Sequence, residues 1–526
     1  MNDGEKPQAA TTGSGVNRRD FMGRAAALGF TTALAGSLAP ALARAETPKR
    51  GGHLVIGLDG AGAGDSIDPA TYTAPWLQVV GMQFYNTLLE VDENNVVKPS
   101  LAESWEAKEG AKVWVVKLRK GVTFHNGKEL TAADVVYSYN HHRAKDSKSP
   151  AKAILAAVDD IKASDKYEIT FTLSAGNADL PYILADYHIC IVPEGVPHDK
   201  GIGTGAFILQ KFEPGVRAIT KRNPNYWNSN RGWVDSVETL AINDPTARLS
   251  ALQSSSVHMI NRIGPKVVDL VKKLPKLQVF NISGAGHYCF PMRCDMAPFN
   301  NNDVRLAIKY GIDREQIIDK ILRGYGKVGN DNPIPSFDPF FAADIPQRKF
   351  DPDKAKFHMK KSGYTGSIPL SISDVAFSGA VETAQLMQAT MAKAGIKLEL
   401  NREAGDGYWD NVWMKKAFCG SYWGGRPTAD MMLSTTYEST APWNESFWMR
   451  PDFDKILVAA RAELDVGKRK QMYHDLQAMV VDDCGELIPM FNNFLDGATI
   501  KVKGFVPTPT QEMSGLRAAE KVWLDA

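Results

Sequence analysis

Apolar and polar residues alternate in short blocks along most of the chain, and this pattern predicts strands and helices in turn. Residues 52–57 and 114–118 show the alternation of half-buried strands. Asn126 followed by Gly127 is typical of a tight turn. Thr131 and Asp134 predict the start of a helix, because a hydroxyl can cap the first turn and a carboxylate favours its positive end. The chain is therefore predicted to be an α/β protein.

A clearer helical period begins at Asp303. Val304, Ala307 and Ile308 fall on one face, which predicts an amphipathic helix with an acidic first turn. The Asp313-Arg314 pair that follows is interpreted as a helix start or an ion pair rather than as a catalytic pair.

The amino-terminal segment has a different pattern, with an apolar run from Ala25 to Ala39 preceded by the residues NRRDFM at 17–22. This is the pattern of a twin-arginine export signal. The run is shorter than the roughly 20 residues of a permanent membrane span, which disfavours an uncleaved anchor. Small residues at Ala43 and Ala45 fit a cleavage site, so the signal peptide is predicted to be 1–45 and the mature chain to start near Glu46.

A lipid anchor would need a cysteine directly after the apolar run, but the first cysteine is Cys190. No later apolar stretch approaches the length of a membrane span. We therefore expect a periplasmic protein that is exported by the twin-arginine pathway, is not lipid-anchored and does not insert into the membrane itself.

Length and charge narrow the class further. About 480 mature residues are too many for one core, so two or three domains are expected. From residue 46 onward the chain has 56 basic and 57 acidic residues, and it lacks basic runs. This balance excludes a nucleic-acid partner.

The sequence contains few patterns that indicate a redox site, a metal site or a phosphate-binding loop. The five cysteines, at 190, 289, 294, 419 and 484, form no CxxC pair, and buried thiols are favoured over disulfides, although Cys289 and Cys294 are close enough to leave a pair open. His141 and His142 are adjacent and no metal-ligand spacing accompanies them, so no metal is predicted. The glycines from Gly60 to Gly64 lack the Lys-Ser/Thr of a phosphate loop. No cofactor is predicted.

Several motifs occur in a fixed order along the mature chain. They are LAESW (101–105), KLRKGVTFHNG (117–127), TAADV (131–135), GTGAF (203–207), KRNPNYW (221–227), PF (298–299) with DVRLAI (303–308) and IDR (312–314), and the segment around Trp423. This series resembles the signature of the extracytoplasmic solute-binding proteins of family 5, which includes the dipeptide, oligopeptide and nickel binding proteins of ABC importers. The resemblance covers essentially all of the mature chain.

The resemblance implies a type II periplasmic binding protein fold of cluster C, with two lobes that close on a ligand. Lobe one would comprise 46–281 and 493–526, with an extra subdomain at about 91–200, and lobe two would comprise 282–492. The glycine-rich strip from Ser283 to Gly286 and the segment from Ile488 to Phe494 would be the two crossings between the lobes.

Trp and Tyr are dense between residues 407 and 448, which suggests a ligand surface because buried indoles and phenols need polar partners. Trp409 and Trp413, at i and i+4, are slightly favoured as core residues. For Tyr422 and Trp423 the ligand interpretation is favoured, because the following Gly424-Gly425 would hold a loop open.

Arg426 is the principal candidate for specificity. In peptide binders of the family, this segment usually carries an aspartate that pairs with the ligand's amino terminus, and here Gly425 stands at that place with Arg426 beside it. A guanidinium suits a carboxylate, phosphate or sulfate and cannot pair with an ammonium. The ligand is therefore expected to present an anionic or amide-rich group to Arg426 and to stack a flat or apolar part on Trp423. The alternative is that Arg426 forms an internal ion pair, for example with Asp430.

Other candidate contacts are weaker. Tyr72 and Trp76 are predicted to form a wall in lobe one, and His287 and Tyr288 to face the cleft after the first crossing. The remaining candidates are Arg293, as a second positive group, and Asn493 on the return crossing.

The predicted function is the substrate-binding component of an ABC importer, which captures a small polar solute and delivers it as a monomer to the membrane subunits of a permease. The motifs GxSxG, HExxH and CxxCH are absent, so a periplasmic hydrolase or oxidoreductase is disfavoured. A metal-chelate binder of the nickel type is a further alternative, although histidines are sparse near the aromatic segment.

Overall fold

The computed structural model describes residues 47–525, so the predicted signal peptide lies outside the described residues. The strands, in chain order, are β1 (His53–Leu58), β2 (Leu89–Val91), β3 (Val97–Pro99), β4 (Ala102–Lys108), β5 (Val113–Leu118), β6 (Val158–Asp165), β7 (Glu168–Leu173), β8 (Phe207–Glu213), β9 (Arg217–Arg222), β10 (Ser236–Ala241), β11 (Met259–Ile260), β12 (Leu277–Pro291), β13 (Gly326–Val328), β14 (Ile368–Ile372), β15 (Leu398–Arg402), β16 (Ser421–Trp423), β17 (Glu486–Thr499), β18 (Val502–Lys503) and β19 (Trp523–Leu524).

The α-helices are α1 (Pro75–Phe84), α2 (Ala132–Arg143), α3 (Ala151–Ile154), α4 (Leu180–Ile183), α5 (Pro245–Gln253), α6 (Val268–Val271), α7 (Asn302–Tyr310), α8 (Arg314–Lys320), α9 (Pro352–Ser362), α10 (Ala380–Ala392), α11 (Tyr408–Asn411), α12 (Ala429–Thr436), α13 (Pro451–Ala462), α14 (Val466–Asp483) and α15 (Ala518–Lys521). Pro69–Thr71 and His198–Lys200 are short 3-10 helices, and Glu512–Gly515 forms one further helical turn. No described helix is long and apolar enough to cross a membrane.

Local sequence signals explain where several helices begin. The backbone N–H of Thr131 donates to Oδ2 of Asp134 at 2.8 Å, so the predicted helix start before α2 is confirmed as a capping box. α7 buries Val304, Ala307 and Ile308, as its period predicts. Asp313 caps α8 by accepting a hydrogen bond from the backbone N–H of Gln316, which confirms its interpretation as a helix start.

The central element is a nine-stranded mixed sheet with the order β16-β12-β17-β11-β1-β10-β9-β8, in which β13 also pairs with β17. β1 lies parallel to both β10 and β11. β12 and β17 are long antiparallel strands that contain the predicted boundaries between the lobes, and their register shifts between Ser283 and His287. The predicted glycine-rich crossing lies at this shift, and the predicted return crossing lies within β17.

Each lobe has its own buried core. In lobe one, a core on β1 and α1 includes Leu54, Trp76 and Phe207. Lobe two has a core around α7, α10 and the parallel pair β14-β15, and a second one around α12 to α14.

A further core lies around the four-stranded antiparallel sheet β4-β5-β7-β6, within the predicted extra subdomain. Met431 of α12 packs into this core, so lobe two touches the subdomain directly.

All five cysteines are free thiols in the structure. Four are buried and Cys294 is partly buried, which confirms the prediction of structural thiols. Burial raises the pKa of the Cys289 thiol well above its ordinary value.

Candidate solute-binding site between the lobes

The site is built on β16, which is an edge strand of the large sheet. β16 pairs with β12, so that Tyr422 lies opposite Tyr288 and Trp423 opposite His287. Because side chains alternate along a strand, the two tyrosines share one face and Trp423 and His287 share the other. Within residues 47–525 no second strand pairs with the other edge of β16.

Trp423 is almost completely buried, with 5% of its surface exposed. Its Nε1 donates to Oε1 of Glu445 at 2.6 Å, and its ring packs against Trp443. Trp413 donates from Nε1 to the other oxygen of the same carboxylate. The expectation that the adjacent glycines expose this indole is therefore wrong, because the indole N–H is drawn inward to a buried acceptor.

Arg426 lies over the face of Trp423, with its guanidinium carbon 5.9 Å from the ring centroid. Its Nη1 donates to the carbonyls of Gly424 and Gly425 at 3.2 Å each. Among residues 47–525, no carboxylate oxygen lies within 4.0 Å of its nitrogens. The alternative partner, Asp430, instead binds Arg461 at 3.1 Å. Arg426 is thus a partly buried cation that no carboxylate of the described chain contacts directly.

The charge of Arg426 acts on groups from lobe one. Burial raises the pKa of Asp186, but His188 and, more weakly, Arg426 hold it below its ordinary value. Burial raises the pKa of Tyr187, and the positive charge of Arg426 opposes this rise. The Asp186–Tyr187 segment therefore lies near Arg426 across the two lobes.

Lobe one contributes a second arginine that the sequence analysis missed. Arg262 follows β11, and its guanidinium carbon lies 5.5 Å from the ring centroid of Tyr422 in lobe two. It binds Glu512 at 2.9 Å and Asp59 at 3.4 Å, and 40% of its side chain is exposed. Asp59 and Arg262 stand at the carboxyl ends of the parallel strands β1 and β11, where ligands bind in open α/β sheets. Charged residues directly after two apolar strands were the available sequence signal.

The loop after β16 is held closely by lobe one. Gln511 donates from Nε2 to the carbonyl of Gly425 at 3.2 Å, and Asn95 donates from Nδ2 to the carbonyl of Pro427 at 2.8 Å. A Cβ added at Gly425 would lie 2.3 Å from the carbonyl oxygen of Thr510. A side chain at this position would therefore force the loop and lobe one apart.

Tyr288 and His287 lie on opposite faces of β12. Tyr288 stacks on Phe377 with ring centroids 4.2 Å apart, and burial raises its pKa to about 12. Tyr422 on the same face meets Trp409 at 5.6 Å. His287 is fully buried beside Phe491, and burial lowers its pKa to about 3, so it is a neutral imidazole at ordinary pH.

The remaining predicted contacts pack or form hydrogen bonds within the protein. Tyr72 and Trp76 do not form a cleft wall, because both are fully buried in the lobe-one core, where Tyr72 donates to the carbonyl of Ile67. Arg293 is not a free positive group, since it binds Asp295 through two hydrogen bonds. Asn493 donates to Oδ1 of Asn281 and so joins the two crossing strands.

The sequence of this site region belongs to a known type of protein. Residues 96–445 match the sequence model of the bacterial extracellular solute-binding proteins, family 5 Middle. The chain belongs to this family. Members of family 5 are solute-binding proteins rather than enzymes, so the predicted binding function is confirmed.

Relatives of this family 5 protein match over nearly their whole length. The dipeptide-binding protein of Escherichia coli (strain K12) is 24% identical over 497 residues, which cover 85% of this chain and 91% of that protein. Among solved structures, the periplasmic binding protein DppA from Helicobacter pylori in complex with the peptide STSA has a TM-score of 0.81 at 23% identity, and the alignment covers 91% of this chain and 99% of that one. AgaA from A. tumefaciens R10 in complex with agropinic acid has a TM-score of 0.80 at 22% identity, with coverages of 90% and 99%. These likenesses confirm the predicted two-lobe fold.

Proposed function

We propose that this family 5 protein captures a small polar solute with an anionic group, such as a peptide-like compound or an amino acid or organic acid conjugate. The observation that carries the proposal is the partly buried Arg426, whose nitrogens have no carboxylate oxygen of the described chain within 4.0 Å. A partly desolvated guanidinium is stabilised by an anion, and a ligand carboxylate would supply it with hydrogen-bond acceptors in a planar fork.

The surroundings of Arg426 suit a ligand that also has amide and flat or apolar parts. The outer edge of β16 offers backbone donors and acceptors to an extended ligand, as in strand addition. Tyr422 and Trp409 are partly exposed aromatics beside this edge. We assign the flat part of the ligand to this pair rather than to Trp423, whose ring is already covered by Arg426.

Proteins of similar fold are solved with a peptide in one case and with agropinic acid in another. The fold is therefore compatible with both peptides and other solutes, and the choice depends on side chains in the cleft. Here Arg426 favours an anionic group where a free ammonium would be repelled. Arg262 adds little net charge because Asp59 and Glu512 already pair with it.

The place of action follows from the amino-terminal signal. We propose export of the folded chain to the periplasm by the twin-arginine pathway, without a lipid anchor, and delivery of the solute by the monomer to the membrane subunits of an ABC permease. Export of a reporter fused to residues 1–45, compared with the same fusion carrying both Arg18→Lys and Arg19→Lys, tests the pathway. Equal export of the two fusions would contradict it.

The ligand class is tested by a thermal-shift screen of residues 46–526. The compounds are free di- and tripeptides, N-blocked peptides, organic acids, opine-like amino acid conjugates and sugar phosphates. A solute at a hundred times its dissociation constant stabilises the folded state by about 2.7 kcal/mol, which is readily detected. We expect hits among the anionic or N-blocked compounds. Hits confined to peptides with a free amino group would overturn the assignment of Arg426.

A further inference from the structure

A cluster of acidic groups lies beneath the indole of Trp423, separate from the cleft surface. Cys289 of β12, Glu445 and Glu486 of β17 each place one ligand atom within 4.8 Å of the others. All three side chains are buried, with at most 1% of their surface exposed. They come from three segments that are far apart in the sequence, so no spacing motif predicts the cluster.

Glu486 is the unexplained member of this cluster. Neither of its carboxylate oxygens forms a hydrogen bond of normal geometry, although the residue is fully buried, and the Cys289 thiol is the acidic group that faces it. Glu445 is satisfied by the indoles of Trp413 and Trp423, and the Cys289 thiol lies 3.5 Å from Oε1 of Glu445. A buried carboxyl group with no partner is destabilising and in native proteins points to a missing water or ion.

The surroundings do not supply a compensating cation. No Lys, Arg or His of residues 47–525 forms an ion pair with Glu445 or Glu486. Lys309 is the basic group whose charge reaches Glu486, but its Nζ donates to the carbonyls of Val481 and Cys484. Three ionisable acids therefore face one another in a low-dielectric interior with no opposite charge in contact.

We propose that Cys289, Glu445 and Glu486 bind a divalent metal ion of the zinc type. One thiolate and two carboxylates are a donor set that zinc and its first-row neighbours accept, and alkaline-earth ions do not favour the sulfur. The thiol proton and any carboxyl proton leave to solvent as the metal binds, so the divalent cation offsets two of the three negative ligand charges and one negative charge remains. The ion supplies the partner that Glu486 lacks.

The indole donors to Glu445 fit an outer shell around such a site. Hydrogen bonds to a ligating carboxylate fix its orientation, and here they come from Trp413 and Trp423. The metal therefore joins β12, β17 and the segment around Glu445 directly behind the solute site. Because the cluster is fully buried, the ion enters as the chain folds, which the proposed export in the folded state would allow.

The test measures metal binding without any solute, so it is independent of the proposed function. The full chain is unfolded in denaturant in the presence of a chelator and is then refolded with Zn2+ or Co2+. After excess metal is removed, the bound metal and the absorption spectrum are measured. We expect one equivalent of metal, a cobalt–thiolate charge-transfer band and a change in tryptophan fluorescence. Cys289→Ser and Glu486→Gln should lose the metal. Cys190→Ser removes a buried thiol of lobe one that is not part of the cluster, and this variant should keep the metal.

Absence of bound metal from the wild-type chain after refolding with either ion would overturn the proposal and would leave Glu486 as a protonated acid. A full equivalent of metal in Cys289→Ser or Glu486→Gln would overturn it as well. The wild-type cobalt spectrum reports the thiolate ligand directly, so the outcome does not depend on the folding of any variant.

Discussion

Arg469 donates a hydrogen bond from Nη2 to Oδ2 of Asp179 at 2.6 Å, and both side chains are less than one tenth exposed. Arg469 lies on α14 in lobe two, whereas Asp179 precedes α4 in the predicted lobe-one subdomain. The backbone N–H of Ala178 also donates to the carbonyl of Arg461, so the contact is continuous. The structure therefore shows hydrogen bonds between the two predicted lobes, and separation of the lobes would break them.

Asp179→Asn should weaken this closed arrangement. Removal of one partner leaves a buried guanidinium uncompensated, and opening of the cleft relieves it by exposure to water. We expect solute affinity to fall at least about tenfold, which is 1.4 kcal/mol, and the radius of gyration from small-angle X-ray scattering to increase. Asp235→Asn, which removes the partner of Arg222 at the surface, is the control. Equal affinity and equal radius for both variants would contradict the closing role.

Arg426→Ala should weaken solute binding at least about tenfold and leave stability almost unchanged. The arginine donates only to carbonyls of its own loop, so its loss disturbs little else. Calorimetric titration with the hit from the screen measures the affinity. Arg402→Ala removes an exposed arginine at the end of β15 and should bind like the wild type. An unchanged dissociation constant in Arg426→Ala would contradict the proposed role of Arg426 in ligand binding.

Arg293→Ala should have the opposite effect. This arginine donates to Asp295 and to the carbonyl of Met414, and its guanidinium carbon lies 3.7 Å from the ring centroid of Phe447. Its loss should lower the free energy of unfolding by about 1 to 3 kcal/mol with little change in affinity. Chemical denaturation measures the first quantity and titration the second. A selective loss of affinity would restore Arg293 as a ligand contact.

Gly425→Ala should separate the loop from lobe one, because its Cβ would lie 2.3 Å from the carbonyl oxygen of Thr510. Overpacking of this kind is destabilising by about 1 to 3 kcal/mol, which here falls on the closed arrangement and lowers solute affinity about tenfold or more. Gly424→Ala is a matched control, since its Cβ would meet only Nη1 of Arg426 at 3.8 Å. Binding that is equally weakened in both variants would show that steric contact with Thr510 is not the cause.

Asp338→Asn should change how stability depends on pH. Burial raises the pKa of Asp338 to about 6, against about 4 in the unfolded chain. The folded state therefore binds the proton more tightly, so this contribution is present below about pH 4 and is lost as the pH rises through 6. The free energy of unfolding of the variant, relative to that of the wild type, should therefore increase by up to about 3 kcal/mol from pH 4 to pH 7.5.

The asparagine can still accept the hydrogen bond that Asp338 receives from the backbone N–H of Phe340 at 2.8 Å. Denaturant unfolding at several pH values gives the difference between variant and wild type. Asp410→Asn, at an exposed position, should show no such trend. A difference for Asp338→Asn that stays constant from pH 4 to 7.5 would contradict the raised pKa.

Local signals in the sequence were reliable where the physics is local. Asp313, and Thr131 with Asp134, predicted helix starts correctly because a cap acts within a few residues of the chain. The period of α7 predicted its buried face, since residues three and four apart share one side of a helix. The ordered motifs implied the family and the two-lobe fold, which the comparisons confirm.

Errors arose where side chains of one type can face either a cleft or a core. Tyr72 and Trp76 are aromatic and lie near a loop, yet both fill the lobe-one core. Arg293 and Arg426 look equivalent in the sequence, but only Arg293 meets a carboxylate. Composition does not give the direction in which a side chain points, because that depends on packing between distant elements.

The sequence by itself determined the fold class and the helix starts, because these depend on local patterns and on motifs in a fixed order. It also gave the segment around Arg426 as a candidate site, which stays a prediction. Only the tertiary structure decided which groups meet. It placed Arg262 of lobe one against Tyr422 of lobe two, and Glu486 beside Cys289. Such pairings are non-local: a charge or an aromatic ring acts on whatever folding brings within a few ångströms, and separation along the chain does not specify that neighbour.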